Sequence, residues 1–276
     1  MAHLMLTYPH LNPIALAIGP LRIHWYGIMY LVAFAAAWFL ARKRAAQSGS
    51  TWSARDVDDF IFYAMLGTIV GGRVGYVLFY GEAMWRADLW YPLKLWEGGM
   101  SFHGGFVGVL SAVALFARQR GRRIWDVFDF TAPLPGIGIF AVRIGNFINS
   151  ELWGGPTDGW WGMRVSEFPG APLVARHPSQ LYEAGLEGLL LFIIVWLYTR
   201  KPRARYLPSA LFLLCYSIAR ITVEFVRLPD VQLGYLAGGW VTMGQLLSLP
   251  MLLAGLVLLM LPKTYQQASG NFTTAA

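Results

Sequence analysis

The sequence predicts an all-α protein embedded in a membrane. Of its 276 residues, 56% are hydrophobic and only 13% are charged, and its mean hydropathy is +0.47. A soluble domain has about 25% charged residues, so this chain has too few of them to solvate a globular surface. Apolar runs of about 20 residues, the length that crosses the hydrocarbon core, recur along it. Short clusters of Lys and Arg separate these runs, which is typical of loops that face the cytoplasm.

Seven apolar segments predict seven membrane-spanning helices. They cover residues 23–41, 60–80, 100–117, 130–149, 181–198, 208–226 and 240–262. The fourth contains Pro133 and Pro135 near its start, so we expect local unwinding there. The seventh contains Pro250, for which we expect a kink.

The positively charged loops predict the orientation. The loops between spans 1 and 2, 3 and 4, and 5 and 6 each carry four Lys or Arg residues, whereas the opposite loops carry four in all. The positive-inside rule places the richer loops in the cytoplasm, so we expect the N-terminus outside and the C-terminus inside. Residues 1–262 then form a single transmembrane domain, and 263–276 form a disordered cytoplasmic tail. Outside, the aromatic-rich segment 81–99 predicts an interfacial arm, and 150–178 predicts a small head.

Composition and position exclude several other classes of protein. The net charge is +7, but the basic residues lie in loops between apolar runs, which argues against a nucleic-acid partner. A single cysteine, Cys215, excludes an internal disulfide, and we expect it to pack in the core. The N-terminus has no basic region, so we expect no cleaved signal peptide.

Polar residues lie almost entirely in the outer halves of the predicted spans. They are His24, Tyr26, His103, Glu183, Glu187, Glu224 and Gln245. Three arginines lie deeper, at Arg73, Arg143 and Arg220, roughly 10 Å below the outer boundary. A charge at this depth costs at least about 2–3 kcal/mol unless it is paired or hydrated. The pattern predicts a polar cavity that is open to the outside and closed toward the cytoplasm.

His103 opens span 3 in the motif SFHGG. Imidazole titrates near neutral pH, and glycines such as Gly104 leave room for a ligand, so His103 is a candidate general base. An interfacial histidine bonded to headgroups explains the same position equally well. The five histidines lack metal-ligand spacing, so we expect no metal site.

Arg143 begins the motif RIGNFINSELWG, in which Asn146, Asn149 and Glu151 follow. Guanidinium and amide groups suit a phosphate with a hydroxylated headgroup, although a capped helix end is the alternative. The segment HPSQLYE, with His177 and Gln180, enters span 5 in a similar way.

Arg220 and Glu224 are four residues apart on span 6 and lie on one helical face. They predict either a structural ion pair or an arginine that holds an anionic headgroup, oriented by the glutamate. On span 2, Gly67, Gly71 and Gly75 form a stripe at intervals of four, which predicts close helix packing.

These segments resemble the bacterial prolipoprotein diacylglyceryl transferases. The matching motifs are HWYG (His24–Gly27), GGRVGYVLFY (Gly71–Tyr80), WEGGMSFHGG (Trp96–Gly105), RIGNFINSELWG (Arg143–Gly154), RHPSQLYE (Arg176–Glu183) and ARITVEFVR (Ala219–Arg227). The chain departs from the family pattern at Val142, Ser150 and Gly155.

The resemblance implies a seven-helix enzyme of the bacterial inner membrane whose active site faces the periplasm. Such an enzyme transfers the diacylglyceryl group of phosphatidylglycerol to the lipobox cysteine of a prolipoprotein and releases glycerol 1-phosphate. The chemistry needs neither a metal nor a redox cofactor, and we expect a monomer. His103 or Tyr26 would generate the thiolate, and Arg143 and Arg220 would stabilise the charge on the leaving phosphate. The expected substrate-binding residues are Arg143, Arg220, Asn146, Asn149, Glu151, Glu224, Arg73, His24, Gly104, Gly154, His177 and Gln180.

Two other classes of function compete with this interpretation. A transporter or flippase for an anionic lipid would need a polar path through the inner halves of the spans, which the sequence lacks. A non-catalytic scaffold would leave the cost of three deep arginines unexplained.

Overall fold

The computed structural model describes residues 6–19, 21–166, 172–229, 233–262, 264–266 and 272–274. Most of the described residues lie in helices. It divides into two compact units. The larger comprises the described parts of Met1–Ala37, Ala132–Gln266 and Phe272–Ala276, and the described part of the smaller is Trp38–Thr131.

The larger unit begins with strands and contains the helices of the second half of the chain. Its elements are β1 (Leu6–Thr7), β2 (Ile14–Ile18), β3 (Leu21–His24), the start of α1 (Trp25–Ala45), α6 (Pro135–Ile148), β4 (Met163–Ser166), β5 (Leu173–Arg176), α7 (Ser179–Glu183), a π-helix (Ala184–Leu190), α8 (Leu191–Tyr198), α9 (Leu207–Glu224), α10 (Met243–Met260), β6 (Thr264–Gln266) and β7 (Phe272–Thr274). The smaller unit contains the end of α1, α2 (Ala54–Phe79), α3 (Glu82–Ala87), two 3₁₀ turns (Tyr91–Leu93 and Leu95–Glu97), α4 (Phe102–Gln119) and α5 (Ile124–Thr131). The short strands were absent from the all-α prediction, because they lie outside the apolar periodicity on which that prediction depended.

Five helices of the described chain are long and apolar enough to cross a membrane. They are α1, α2, α9, α10 and the continuous helix Ser179–Tyr198, which α7, the π-helix and α8 form together. Helices α5 and α6 meet the same test only as a broken pair, which gives up to six spans. The helix α4 corresponds to the predicted third span, but His103, Arg118 and Gln119 lower its hydropathy. The prediction of a helical polytopic membrane protein is confirmed, and the count of seven spans stays a prediction.

Capping boxes decide where two of the spans begin. Helix α2 begins at Ala54 rather than near residue 60, because Ser53 Oγ accepts from the Asp56 N–H at 3.1 Å and Asp56 Oδ2 accepts from the Ser53 N–H at 2.9 Å. Helix α10 begins at Met243 rather than residue 240, because Thr242 and Gln245 make the same reciprocal pair. Side-chain bonds of this kind satisfy main-chain donors that a helix cannot satisfy itself.

In the smaller unit, α2 and α4 approach each other through glycines on both helices. A Cβ atom on Gly75 would lie 2.8 Å from the Cα atom of Gly104, and one on Gly71 would overlap the Gly104 carbonyl oxygen. Gly67 faces Gly108 in the same way. The predicted packing role of the glycine stripe is therefore confirmed, and its partner is a second stripe on α4.

In the larger unit, the fifth span contains a full π-helical segment. Gly188 within it packs directly on α6, because a Cβ atom there would lie 2.7 Å from the Cα atom of Phe140. Gly136 of α6 packs against the Gly188 carbonyl oxygen in return. A π-helix shifts the rotation of the residues that follow it, and such segments are frequent at functional sites.

Strands β4 and β5 form a small three-stranded sheet with β1. Strand β4 pairs antiparallel with β5 and parallel with β1. The buried ring of Tyr8 follows β1, and its hydroxyl donates to the Phe147 and Ile148 carbonyl oxygens at 3.0 and 2.8 Å. The sheet therefore rests on the C-terminal end of α6, next to the motif that Arg143 begins.

Candidate active site

Two buried glutamates on the fifth span are central to an ionic cluster in the larger unit. Glu183 ends α7 and Glu187 lies in the π-helix, and both are 0% exposed. The Glu183 carboxylate pairs with Arg220 Nη1 through one oxygen and lies 3.3 Å from Arg143 Nε through the other. The Glu187 oxygens lie 3.4 Å from Arg220 Nη1 and 3.8 Å from Arg143 Nη2. Two arginines from separate helices are thus held by one pair of carboxylates.

A third glutamate extends the cluster along α9. Glu224 Oε1 lies 2.5 Å from Arg220 Nη2 and 3.1 Å from Arg227 Nη1. Arg227 Nε also lies 3.6 Å from Glu183. The ion pair that the spacing of Arg220 and Glu224 predicted is therefore present, within a larger network.

The cluster balances three arginines with three glutamates, all largely buried. Burial strengthens attraction between charges and also makes an unpaired charge expensive, so each group depends on the others for its stability. The second oxygens of Glu183 and Glu187 have no hydrogen-bond partner among the described residues. Arg143 is the more accessible of the two bridged arginines, with a side chain 19% exposed against 11% for Arg220.

A chain of amide contacts leads from Arg143 to Glu151. Arg143 Nη1 donates to Asn146 Oδ1 at 3.4 Å, and Asn146 Nδ2 donates to Glu151 Oε1 at 2.6 Å. The fully buried Gln180 donates through Nε2 to the Glu151 carbonyl oxygen. The predicted residues of both motifs therefore come together, and Glu151 is oriented by two amides.

Other predicted residues of this region support the backbone beside the cluster. The Gly154 N–H donates to the His177 carbonyl oxygen at 2.9 Å, and a Cβ atom on Gly154 would lie 2.5 Å from the Val226 carbonyl oxygen. His177 Nδ1 lies 3.3 Å from the Tyr182 hydroxyl, and burial lowers the pKa of the imidazole. Asn149 caps α6, and its Oδ1 atom has no hydrogen-bond partner among the described residues.

Tyr26 lies in the first turn of α1. Its hydroxyl lies 3.4 Å from the Tyr30 hydroxyl, and its ring packs near Gly145 of α6. His24 ends β3 and is exposed. Of these two expected residues, Tyr26 is the one that the structure brings near the cluster.

The remaining predicted residues lie in the smaller unit. His103 is exposed in the first turn of α4, where its ring contacts the Phe102 ring edge to face at 5.7 Å. Gly104 serves the packing of α4 on α2 and donates to the Ser101 cap at 3.2 Å.

Arg73 is 3% exposed, and its guanidinium group donates hydrogen bonds to five main-chain carbonyl oxygens. These oxygens belong to Tyr91, Pro92, Lys94, Gly98 and Gly99. Its face also lies 4.6 Å from the centre of the Tyr91 ring. The guanidinium group of Arg73 therefore anchors the 81–99 segment, and its substrate-binding role stays a prediction.

The sequence interpretation left four residues of the cluster out of the expected site. They are Glu183, Glu187, Arg227 and Thr242. The signal for the first two was present, because two glutamates four residues apart in an apolar span are expensive unless paired. Within the described residues, no group of three His, Cys, Asp or Glu side chains is arranged to hold a metal ion.

A buried network of arginines and glutamates between apolar helices defines a polytopic membrane protein with an ionic site inside its helical bundle. The sequence model of the prolipoprotein diacylglyceryl transferases matches residues 13–261. The chain belongs to this family.

Relatives named phosphatidylglycerol–prolipoprotein diacylglyceryl transferase are similar to it along most of their length. Those of Oleidesulfovibrio alaskensis and Solidesulfovibrio magneticus are 55% identical over 254 and 265 residues, which are 92% and 96% of this chain and 94% and 100% of the relatives. That of Pseudomonas syringae pv. syringae is 54% identical over 257 residues, 93% of this chain and 95% of the relative.

Proposed function

We propose that this protein transfers the diacylglyceryl group of phosphatidylglycerol to the lipobox cysteine of prolipoproteins. The cysteine sulfur attacks the glycerol carbon that carries the phosphate. A C–S bond forms, the C–O bond to phosphate breaks, and glycerol 1-phosphate leaves with the bonding electrons. The thiol proton goes to a base of the enzyme. The names of the relatives support both substrates.

The observation that carries the proposal is the bridging of Arg143 and Arg220 by Glu183. Charge develops on the phosphate oxygen as the C–O bond breaks, and donors fixed in advance stabilise it without reorganisation. Two guanidinium groups locked by shared carboxylates are such donors. A guanidinium group can present parallel N–H groups to a phosphate, which a lysine cannot.

Amide and carboxylate groups beside Arg143 suit the released headgroup. Phosphatidylglycerol carries a glycerol with free hydroxyl groups beyond the phosphate. Asn146 and Glu151, already hydrogen-bonded to each other, offer acceptors for those hydroxyls next to the arginine that would bind the phosphate. We further assign to the substrate-binding site the predicted residues Asn149, Gly154, His177 and Gln180. His24 belongs to the same site in this proposal and lies at the outer end of the first span.

The proton of the thiol requires a base, for which His103 is the first candidate and Tyr26 the second. Imidazole accepts a proton near neutral pH without further activation. Cys215 is half-buried in α9 and packs against the Leu191 core, so the attacking sulfur comes from the substrate.

The proposed topology follows from the charged loops. We place seven spans in the bacterial inner membrane, with a periplasmic N-terminus, a cytoplasmic C-terminus and a periplasmic active site. Residues 1–262 are the transmembrane catalytic domain, with the arm 81–99 and the head 150–178 on the periplasmic side and the tail 263–276 in the cytoplasm. The enzyme acts as a monomer.

Direct transfer tests the activity. Purified protein is incubated with phosphatidylglycerol and a synthetic lipobox peptide, and the mass of the peptide is measured by mass spectrometry. We expect the mass to rise by one diacylglyceryl group, with release of glycerol phosphate. A peptide with serine in place of cysteine, and phosphatidylcholine in place of phosphatidylglycerol, are the matched controls. No mass gain, under conditions in which a control enzyme is active, would refute the proposal.

A further inference from the structure

The N-terminal turn of α10 contacts the ionic cluster through one carboxylate. Thr242 is 1% exposed, and its Oγ1 atom lies 2.5 Å from Glu224 Oε2. The other oxygen of Glu224 is the one that accepts from Arg220 and Arg227. The two oxygens of Glu224 therefore have separate partners. Oε2 is bound by Thr242 at the start of α10, and Oε1 pairs with both Arg220 and Arg227.

The capping box leaves the hydroxyl proton of Thr242 for Glu224. A hydroxyl group has one proton to donate and two lone pairs that accept. The Gln245 N–H donates to Thr242 Oγ1 at 3.2 Å and so uses a lone pair. Gln245 Oε1 accepts from the Thr242 N–H at 3.1 Å and fixes the backbone of the threonine. The same pair of residues that starts the helix thus directs the hydroxyl toward the cluster.

Gly244 allows the carboxylate to approach this turn. A Cβ atom at position 244 would overlap the carboxyl group of Glu224. Glu224 itself is only 2% exposed, so bulk water cannot replace a bond lost from Thr242. The turn and the carboxylate are therefore fitted to each other.

We infer that the turn formed by Thr242, Gly244 and Gln245 positions the phosphate-binding arginines by fixing Glu224. The inference rests on the proposed function, in which Arg220 binds the lipid phosphate. A guanidinium fork whose orientation is set before binding loses less conformational freedom when the phosphate arrives. Thr242 acts through Glu224 and does not contact the phosphate, so it is a positioning residue.

Two substitutions at Thr242 test the role of its hydroxyl group. Thr242→Val has nearly the same shape but loses the hydroxyl, and with it the bonds to Glu224 and to the Gln245 N–H. Thr242→Ser keeps the hydroxyl. A hydrogen bond to a charged group corresponds to about a 10- to 100-fold effect, so we expect kcat/KM for phosphatidylglycerol to fall by that factor in the valine variant and to stay near the wild-type value in the serine variant. Ser53→Ala is the matched control, because it breaks the capping box of another span, where the capping hydroxyl has no contact with Glu224. We expect it to lower thermal stability and leave kcat/KM unchanged.

Thr242→Gly covers the case in which the valine variant fails to fold. Glycine caps a helix about as well as threonine does and has no hydroxyl group, so this variant should retain most of the thermal stability and still lose activity. A double-mutant cycle adds a readout that general destabilisation would not produce. If Thr242 acts through Glu224, Thr242→Val causes no further loss in the Glu224→Ala background, in which the acceptor of its hydroxyl is absent.

Three outcomes would overturn the inference while the wild-type protein is active. They are wild-type kcat/KM in the Thr242→Val or Thr242→Gly variant, equal losses in the Ser53→Ala control, and losses that multiply in the double mutant. A wild-type protein without transferase activity would instead overturn the proposed function, and this inference with it.

Discussion

The buried carboxylate of Glu183 pairs with the guanidinium group of Arg220 and so joins the π-helical span to α9. Through its other oxygen it lies 3.3 Å from Arg143 of α6. Three helices therefore meet at one carboxylate, and the arrangement of both arginines depends on it.

Glu183→Gln should strongly destabilise the protein. The glutamate is 0% exposed, and its loss leaves two arginines short of a buried counter-charge, for which we expect about 3 kcal/mol in the free energy of unfolding. Thermal unfolding in detergent or nanodiscs measures the effect. Glu82→Gln is the control, because its pair with Arg86 is exposed and should contribute nothing measurable. Equal stability of the two variants would show that the cluster is not a structural unit.

Arg143→Lys should lower turnover by at least about 10²-fold, or roughly 2.7 kcal/mol of barrier. Lysine keeps a positive charge but cannot donate two parallel bonds to a phosphate. Arg220→Lys should lose as much, since both arginines are bridged by the same glutamate. Lipid transfer is measured in liposomes, with expression and thermal stability as controls. Full activity of Arg143→Lys would contradict bidentate binding of the phosphate by Arg143.

His103→Gln should preserve folding, because the side chain is exposed, and lower turnover at pH 7 by about 10²–10⁴-fold. A free cysteine has a pKa of about 8.5, so raising the pH above that value supplies thiolate without a base and should recover part of the loss. The pH profile of transfer, for the wild type and the variant, measures this. Near-normal activity of the His103→Gln variant at pH 7 would exclude His103 as the general base and leave Tyr26 as the candidate. Tyr26→Phe would then lose activity at pH 7 and recover part of it at high pH.

Two glycines of the π-helix should respond differently to alanine. A Cβ atom on Gly188 would lie 2.7 Å from the backbone of Phe140, whereas one on Gly185 would have no atom within 4 Å. Gly188→Ala should therefore force the fifth span away from α6, with about 1–3 kcal/mol of destabilisation and a loss of turnover. Gly185→Ala should behave as wild type. Thermal stability and lipid transfer of the two variants decide the matter, and equal behaviour would contradict the packing.

Arg73→Met should loosen the 81–99 segment, because five carbonyl oxygens lose their donor. Hydrogen exchange of the amides in this segment measures the change, and we expect faster exchange there. Arg86→Gln, which removes an exposed arginine of the same segment, should leave exchange unchanged. Unaltered protection in the Arg73 variant would mean that the guanidinium is not the anchor.

Local features were predictable from the sequence because they depend on neighbours along the chain. The Arg220–Glu224 pair follows from residues four apart on one helix, and the packing role of Gly67, Gly71 and Gly75 follows from their spacing. The weak start of the fourth span follows from its prolines, and the structure divides the chain there between α5 and α6. The cost of a deep charge also indicated correctly that Arg143 and Arg220 need partners.

Pairings between helices were not predictable in the same way. Arg143 could have met any acidic group at its depth, and which one it meets depends on the rotation of the neighbouring span. The π-helix changes that rotation within span 5, where Glu187 lies. Arg73 shows the same limit, because its depth indicated a need for partners but not that those partners would be carbonyl oxygens of a surface segment.

The sequence by itself determined that this protein is a helical membrane protein, that it carries costly arginines within its apolar spans, and that it belongs with the prolipoprotein diacylglyceryl transferases. Only the tertiary structure decided which carboxylates hold those arginines, and that Thr242 of α10 reaches Glu224 of α9. Hydropathy and spacing are properties of a segment, and they survive any rotation of that segment. A hydrogen bond of 2.5 Å between two helices does not, because it requires the axial rotation and depth of both, which only the packing of the whole bundle specifies.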